Sequence, residues 1–360
     1  MPDRIYNFSA GPATLPYEVL TQAAKDIVNF NNTGIGLIEM SHRSKEFMAV
    51  AAEAESLLRE VMGIPNNYKV LFLQGGASTQ FAMVPMNLLS PGQTATYLNT
   101  GTWSKNAIKE AKLFGNVDVA YSSESSNFNH VPASKDYEIA PESQYLYFVS
   151  NNTIFGTQFH NFPETDKPLV ADMSSDIMWR PIDVSKFGLI FAGAQKNMGP
   201  AGVTVVIIRD DLIGRSKNYL PTMFDYKTHA DKDSMFNTPP CFAIYVVGLV
   251  LKWLKNLGGL AAIEKINREK AALLYEKIDS TDFYRGHART DSRSMMNITF
   301  NLPTPELEAQ FIKEATAKGM SGLKGHRSVG GCRASIYNAF PREGVAKLVE
   351  FMTEFENRNR

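Results

Sequence analysis

Lys196 is the residue in this chain whose position most directly suggests chemistry. It ends the run LIFAGAQK at residues 189–196, in which a predicted apolar strand leads into small residues. Most lysines are solvated, so an incidental lysine in a surface turn is one interpretation. The other is an amine held at the end of a buried strand, where it can act as a nucleophile. The stretch alone does not decide between them.

Three other predicted strands also end in residues that can do chemistry. Asp172 closes LVAD at 169–172, and a carboxylate there either caps the following turn or pairs with a cation such as a protonated ring nitrogen. Thr153 follows YLYFVSNN and can donate to a ring oxygen or simply form a turn. Trp103 follows TYLNTG and can stack on a flat ring or fill the core.

A glycine-rich turn after VLFLQ predicts an anion site. Gly75 and Gly76 precede Ala77, Ser78 and Thr79, and a helical pattern follows. The unpaired N–H groups of a helix N-terminus can bind a phosphate, and Ser78 can add a hydroxyl donor. A plain capped helix is the alternative. The turn has no lysine after it, so it is not the phosphate loop of nucleotide hydrolases.

These residues must be brought together by the elements that carry them. From about residue 16 the chain alternates short apolar runs with helical patterns, which predicts an α/β fold with a mostly parallel sheet between helices. The run at 202–208 follows Phe191 too closely for a parallel crossover, so this strand is predicted to run antiparallel. Ligands of such sheets bind beyond the carboxyl ends of the strands. Together, a phosphate cup, a ring stacker, a ring-oxygen donor, a pyridinium partner and a lysine meet the needs of pyridoxal 5′-phosphate.

Bulk properties exclude several classes of function. The chain has 360 residues, 44% hydrophobic and 21% charged, with 37 basic and 37 acidic residues. This balance gives no overall field for nucleic acid or an anionic membrane. No apolar run is long enough to span a bilayer, there is no secretory signal pattern, and two cysteines form no metal-ligand spacing. We therefore expect a cytoplasmic protein.

A glycine pair at 258–259 predicts a large domain over 16–259 and a small α+β domain over 260–360, with residues 1–15 packing near the latter.

Several motifs give the chain a resemblance to a known family. They are FSAGPA, SHRS, GGAS, GTWS, DMSSD, AGAQKNMGP, NTPP and GHRSVGGCRASIYNA, spread over the whole chain. The sequence resembles the phosphoserine aminotransferases, class-V enzymes of the fold-type-I group that use pyridoxal phosphate. The resemblance implies a large domain with a mostly parallel seven-stranded sheet. Ser78 is a departure, because some members carry an arginine there.

The resemblance also implies roles for individual residues. Lys196 would form the Schiff base with one pyridoxal phosphate per subunit, and Asp172 and Trp103 would complete the catalytic set. The implied cofactor-binding residues are Ala77, Ser78, Trp103, Thr153, Asp172, Ser174, Gln195 and Lys196, with Asn237 and Thr238 reaching the site of the neighbouring subunit in a homodimer. The loop carrying Asn237 and Thr238 must be extended because it precedes two prolines.

Two basic clusters predict recognition of an anionic substrate. His42–Arg43 and His326–Arg327, with Arg333 nearby, stand out in a neutral chain, although an isolated His–Arg pair is usually a solvated surface feature. An arginine fork suits a carboxylate. By resemblance, Arg333 would bind the α-carboxylate, and the four residues of the two pairs would bind the substrate phosphate or the side-chain carboxylate of glutamate.

The implied reaction is a reversible ping-pong transfer of an amino group. It would link glutamate and 2-oxoglutarate with 3-phosphohydroxypyruvate and O-phospho-L-serine in serine biosynthesis, with the related step of vitamin B6 synthesis left open. Alternatives are another small-substrate transaminase, a cysteine desulfurase using Cys332, or a catalytically silent module that binds pyridoxal phosphate or phosphate.

Overall fold

The computed structural model describes residues 4–216 and 219–360. Its helices are α1 (Tyr17–Val28), α2 (Lys45–Met62), α3 (Gly76–Leu88), α4 (Thr102–Ala111), α5 (Tyr226–Ala230), α6 (Cys241–Asn256), α7 (Gly259–Asp279), α8 (Pro305–Ala317) and α9 (Arg342–Asn359). Its strands are β1 (Tyr6–Asn7), β2 (Tyr68–Leu73), β3 (Thr94–Asn99), β4 (Asn116–Ser122), β5 (Ser143–Val149), β6 (Asn151–Asn152), β7 (Thr157–Gln158), β8 (Leu169–Asp172), β9 (Leu189–Gly193), β10 (Thr204–Arg209), β11 (Arg285–Gly286), β12 (Asn297–Asn301), β13 (Met320–Ser321) and β14 (Cys332–Ser335).

A seven-stranded sheet forms the centre of the described chain, in the order β2-β10-β9-β8-β5-β3-β4. Neighbouring strands from β9 to β4 are parallel, whereas β10 runs antiparallel to both β9 and β2. Val206 of β10 therefore lies opposite Phe191 on one side and Leu71 on the other. The short link from β9 to β10 forces this reversal, and the predicted antiparallel strand is confirmed.

Both faces of the sheet are buried, so its central strands are apolar throughout. Along β5, Leu146 and Phe148 point into a cluster with α2 and α6, while Tyr145 and Tyr147 point into a second cluster with α3 and α4. Alternate side chains of a strand face opposite sides. A continuous apolar run is therefore what a doubly covered parallel sheet requires, and the α/β fold with a mostly parallel sheet is confirmed.

The helix termini follow local sequence signals. The Ser44 side chain accepts a hydrogen bond from the Phe47 N–H at the start of α2, and Gly63 ends this helix at a φ of +64°. Thr304 caps α8 in the same way, with Pro305 in its first turn. These caps fix where each helix begins, and so where the connecting loops leave it.

A further hydrophobic cluster joins the two ends of the chain. It is built from α7, α8, α9, β12 and β14 together with Phe8, whose ring lies 4.4 Å from that of Phe340. Beside it, β1 pairs in parallel with β13. The start of α7 packs instead in the cluster of α2 and α6 through Leu260 and Ile263. The division of the chain at residue 259 stays a prediction.

Within residues 4–216 and 219–360, no single helix is long and apolar enough to cross a membrane. Helices α6 and α7 together meet the length and composition criteria, but they are bent by 83° with respect to each other.

Candidate active site

A cavity of about 360 Å³ lies at the carboxyl ends of the parallel strands. Ten of the residues singled out from the sequence line it: Ala77, Ser78, Trp103, Thr153, Asp172, Ser174, Gln195, Lys196, His326 and Arg333. A larger cavity of about 1050 Å³ lies elsewhere, and the lysine and aspartates that line it, Lys135, Asp136 and Asp291, are exposed. We therefore place the candidate site by its chemistry and not by its volume.

Lys196 reaches the cavity from the turn that follows β9. Its Nζ donates a hydrogen bond to Thr153 Oγ1 over 2.8 Å. Loss of hydration lowers the pKa of Lys196 to about 8, a shift that the Arg333 charge adds to and the Asp172 charge opposes. A substantial fraction of the amine is thus neutral near pH 8. The residue predicted as the nucleophile has the protonation behaviour that the role requires.

Gly11 allows the backbone to approach the stem of Lys196. Its φ is +143°, and a Cβ on it would lie 3.3 Å from Lys196 Cγ. Together with Ala10, Gly11 forms one wall of the cavity. The motif FSAGPA that contains both residues was noted in the sequence, but only the fold shows that it passes beside the lysine.

Asp172 is the last residue of β8 and is buried. Its Oδ1 accepts a hydrogen bond from the Ser174 N–H at 2.9 Å. Burial raises the pKa of Asp172, while the hydrogen bonds from Ser174 and the charge of Lys196 oppose that rise. A carboxylate in this environment is stabilised by a nearby cation, which a protonated ring nitrogen would provide.

The predicted phosphate cup is the N-terminus of α3. Gly75 adopts a φ of +91°, and a Cβ there would collide with the Thr79 side chain. No side chain caps this helix, which leaves its first N–H groups available to an anion. Ala77 is half-buried and Ser78 is exposed in the first turn. Ser174 lies further in, where its Oγ accepts from the Gly193 N–H at 3.1 Å.

Trp103 lies in the first turn of α4 and is half-buried. One side of its ring packs against apolar residues that include Phe81, at a centroid distance of 6.5 Å, and the ring also lines the cavity. Its indole Nε1 is buried and has no hydrogen-bond partner within the described chain. Trp103 is thus a packed residue that also reaches the cavity, and its stacking on a flat ring stays a prediction.

Arg333 and His326 form the outer part of the site. Arg333 Nη1 donates to the Thr153 carbonyl at 3.3 Å, and its Nε is buried without a partner among the described residues. Burial lowers the pKa of Arg333, and burial together with the charges of Arg333 and Arg327 lowers the pKa of His326. The lowered pKa favours neutral His326, so the guanidinium of Arg333 supplies the positive charge at this part of the cavity.

Five predicted residues do not line the cavity of this single chain. Arg43, Arg327 and Thr238 are exposed, and His42 and Asn237 are half-buried. The Thr238 carbonyl accepts from Gln74 Nε2 at 3.3 Å, which holds the loop near the end of β2. The buried His42 Nε2 has no partner in the part of the chain that the structure describes.

A buried carboxylate beside the site was missed from the sequence. Asp176 accepts hydrogen bonds from Ser150 Oγ and, at 3.0 Å, from Gln158 Nε2, and burial raises its pKa to about 6. It belongs to the quoted motif DMSSD, but nothing in that motif distinguishes its role from that of Asp172. Its neighbours Ser150 and Gln158 come from other elements, so only the fold identifies the cluster.

Cys332 does not fit the desulfurase alternative. It is 1% exposed on β14, and burial raises the pKa of its thiol well above the usual value. A mobile, ionised cysteine at the cavity is what that reaction needs.

The residues present fit pyridoxal phosphate. The cavity combines a lysine of lowered pKa, a buried carboxylate, a free indole N–H and an uncapped helix N-terminus. These groups match the aldehyde, the ring nitrogen, the aromatic ring and the phosphate of that cofactor, respectively.

Comparison with known proteins agrees with this site. Residues 5–348 match the family described as aminotransferase class-V, so the chain belongs to the class-V aminotransferases, which use pyridoxal phosphate. A relative from Desulfotalea psychrophila, a phosphoserine aminotransferase, is 72% identical over 100% of this chain and 99% of its own length.

Two solved structures extend the comparison. The phosphoserine aminotransferase from Bacillus circulans subsp. alkalophilus is 53% identical, with a TM-score of 0.97 over 99% of this chain and 100% of that one. The phosphoserine aminotransferase with bound PLP from Trichomonas vaginalis is 41% identical, with a TM-score of 0.93 over 97% of this chain and 100% of that one. The predicted fold type and cofactor are thereby confirmed.

Proposed function

We propose that this chain transfers an amino group reversibly between glutamate and 3-phosphohydroxypyruvate, giving 2-oxoglutarate and O-phospho-L-serine, in the cytoplasm and in serine biosynthesis. The observation that carries the proposal is the convergence of Lys196, Asp172 and Arg333 on one cavity beside an uncapped helix N-terminus. The relatives that match over the full chain are phosphoserine aminotransferases.

Each residue of the site has a task in this reaction. When bound, pyridoxal phosphate supplies an electron sink for the negative charge that develops at the substrate Cα. Lys196 Nζ removes the proton from that carbon, for which its lowered pKa is suited. Asp172 keeps the ring nitrogen protonated. Arg333 binds the α-carboxylate with its guanidinium fork.

The remaining residues hold the cofactor and the distal part of the substrate. With pyridoxal phosphate bound, Trp103 and Thr153 would hold its ring, and Ala77, Ser78, Ser174 and Gln195 would hold its phosphate. His42, Arg43, His326 and Arg327 bind the substrate phosphate or the glutamate side chain. One site serves both substrates in turn, so ping-pong kinetics are expected.

The activity is tested with purified protein loaded with pyridoxal phosphate. Formation of 2-oxoglutarate from glutamate and 3-phosphohydroxypyruvate is expected for the wild type. Lys196→Ala should abolish both turnover and the visible absorption of the bound cofactor. The matched control is Lys186→Ala. Lys186 is exposed and lies just before the start of β9, so its replacement should leave turnover and cofactor absorption unchanged. A Lys196→Ala variant that keeps turnover would contradict the proposal.

We also propose a homodimer in which Asn237 and Thr238 reach the cofactor phosphate of the neighbouring subunit. Neither residue lines the cavity of its own chain, and both lie outside regular secondary structure just before Pro239 and Pro240. Subunit exchange tests the arrangement. Inactive Lys196→Ala mixed with an impaired Asn237→Ala/Thr238→Ala variant should regain activity, because each hybrid dimer contains one intact site. No recovery in a mixture shown to exchange subunits would place both residues in their own site.

A further inference from the structure

Lys270 is a buried lysine outside the cavity, in the middle of α7. It is 0% exposed, and its Nζ donates to the carbonyls of Tyr337 at 2.7 Å, Ile336 at 3.0 Å and Phe340 at 3.1 Å. No carboxylate pairs with it in the described parts of the chain. An ammonium group without a counter-ion is costly to bury, and an apolar side chain would fill the same space at less cost. The hydrogen bonds from Lys270 to the turn at residues 336–340 are therefore its distinguishing contacts.

That turn, residues 336–340, contacts both walls of the candidate site. The Asn338 N–H donates to Asn197 Oδ1 at 3.0 Å, and Asn197 follows Lys196 in the chain. The Tyr337 hydroxyl donates to the Ala10 carbonyl at 2.7 Å, and Ala10 lines the cavity. A shift of the turn would therefore reach the backbone on either side of the lysine stem.

The amide groups of the turn have little freedom to move independently. The Asn338 side chain donates to the Met178 carbonyl at 2.9 Å and accepts from Asn267 Nδ2 at 2.8 Å. Asn267 lies one turn before Lys270 on the same face of α7. Asn197 in turn donates to the Ile177 carbonyl at 3.0 Å. The amides of Asn338 and Asn197 are thus paired at both ends, whereas the buried Asn267 Oδ1 has no partner among the described residues. Pairing at both ends favours a single arrangement of Asn338 and Asn197.

We propose that Lys270 is a positioning residue for Lys196. By holding the carbonyls of residues 336–340 it fixes Asn338, and through the Asn338–Asn197 hydrogen bond it sets the backbone from which Lys196 extends. The inference rests on the proposed function for the identity of the reaction. The hydrogen bonds that connect Lys270 to Asn197 through the turn do not depend on which substrate is used.

The test compares Lys270→Met with Lys277→Met in the holoenzyme. Lys277 lies on the same helix and pairs with Glu356 away from the site, so its replacement costs stability without touching the turn. Both variants are assayed well below their unfolding temperatures. We expect Lys270→Met to lower kcat/KM for phosphoserine at least about tenfold, mainly through kcat. We also expect it to move the pH midpoint of the cofactor absorption change, while Lys277→Met leaves kcat/KM and this midpoint as in the wild type.

Two further variants keep the inference falsifiable. Lys270→Gln retains two N–H donors and should fall between wild type and Lys270→Met. Asn197→Ala leaves Lys270 in place but removes the Oδ1 that accepts from the Asn338 N–H. It should shift the pH midpoint of the cofactor absorption change in the same direction as Lys270→Met does. Combining Asn197→Ala with Lys270→Met should add little to either alone, because both break one connection.

Lys270→Met could lower the unfolding temperature and yet keep kcat/KM within twofold of wild type and the absorption midpoint unchanged. That result would show that Lys270 only stabilises the fold. Should Lys270→Met not fold, Lys270→Gln carries the same decision. A wild-type protein that does not turn over phosphoserine would overturn the proposed function. The role of Lys270 could still be tested in that case, because the pH midpoint of the cofactor absorption change is measured without substrate.

Discussion

Thr153 connects the two charged side chains that the reaction needs most. Its hydroxyl accepts a hydrogen bond from Lys196 Nζ at 2.8 Å, and its carbonyl accepts one from Arg333 Nη1 at 3.3 Å. One residue thus holds the proposed base and the proposed carboxylate receptor at a fixed separation. The first contact uses the side chain and the second uses the backbone, so a substitution can remove one and keep the other.

We predict that Thr153→Val lowers kcat/KM for phosphoserine about tenfold, since a hydrogen bond contributes roughly 1 to 1.5 kcal/mol. Valine keeps the shape and the backbone contact with Arg333 but cannot accept from Lys196. Thr153→Ser retains the hydroxyl and serves as the control, with activity close to wild type. Equal activity in both variants would show that the contact with Lys196 does not matter for turnover.

Covalent capture of the cofactor by the apoprotein should depend on pH through Lys196. Only the neutral amine attacks an aldehyde, and burial lowers the pKa of Lys196 to about 8. The capture rate should therefore rise about tenfold per pH unit below that value and level off above it. Stopped-flow absorbance measures the rate, with Lys196→Ala as the blank. A midpoint near the ordinary lysine pKa would mean that the amine is solvated in the apoprotein.

Arg43→Ala and Arg327→Ala should lower turnover of phosphoserine more than that of an unphosphorylated amino acid such as alanine. Both side chains are exposed in the single chain, and a substrate phosphate would be the group that they bind. The measurement is the ratio of kcat/KM for the two amino donors in each variant. Lys186→Ala again provides a control with an unchanged ratio. Equal losses for both amino donors would show that these arginines do not bind the substrate phosphate.

Glu356 should stabilise the C-terminal cluster in a pH-dependent way. Hydrogen bonds from Lys277, Thr281 and Arg360 and the Lys277 charge outweigh its burial and lower its pKa to about 2. Because the folded pKa lies below the unfolded value, this stabilisation is present above about pH 4 and is lost as the pH falls toward 2. Glu356→Gln should cost on the order of 2 kcal/mol at pH 7 and progressively less in acid.

Urea unfolding of both proteins at pH 7 and at about pH 3 measures this difference, because the window of loss lies between the unfolded and the folded pKa. The control is Glu354→Gln, which breaks only an exposed pair with Lys318 and should leave the free energy of unfolding unchanged within error. A pH-independent loss for Glu356→Gln would mean that packing, and not charge, accounts for its effect.

The residues at strand ends were predictable because their position follows from chain order. Lys196 and Asp172 close successive apolar runs, and parallel strands bring such ends to one edge of a sheet. The antiparallel β10 was predictable for an equally local reason, the short link that precedes it.

Lys270 and Asp176 were not predictable, because their burial depends on distant parts of the chain. Along α7, Lys265, Lys270 and Lys277 look equivalent in the sequence. Only the approach of residues 336–340 makes Lys270 different from the other two. Asp176 likewise acquires its environment from Gln158 on β7 and Ser150 after β5.

The pairing of β1 with β13 has a consequence for how this protein is made. Tyr6 is made before its partner Met320, which follows about 310 residues later, roughly 15 to 60 s at ordinary rates of translation. Until then Phe8 has no apolar cluster to enter, since its neighbour Phe340 is made later still. The central sheet can assemble before residues 320–340 are made, whereas the wall formed by Ala10 and Gly11 can be fixed only after them. Nascent chains that end before residue 320 should therefore be unable to retain pyridoxal phosphate.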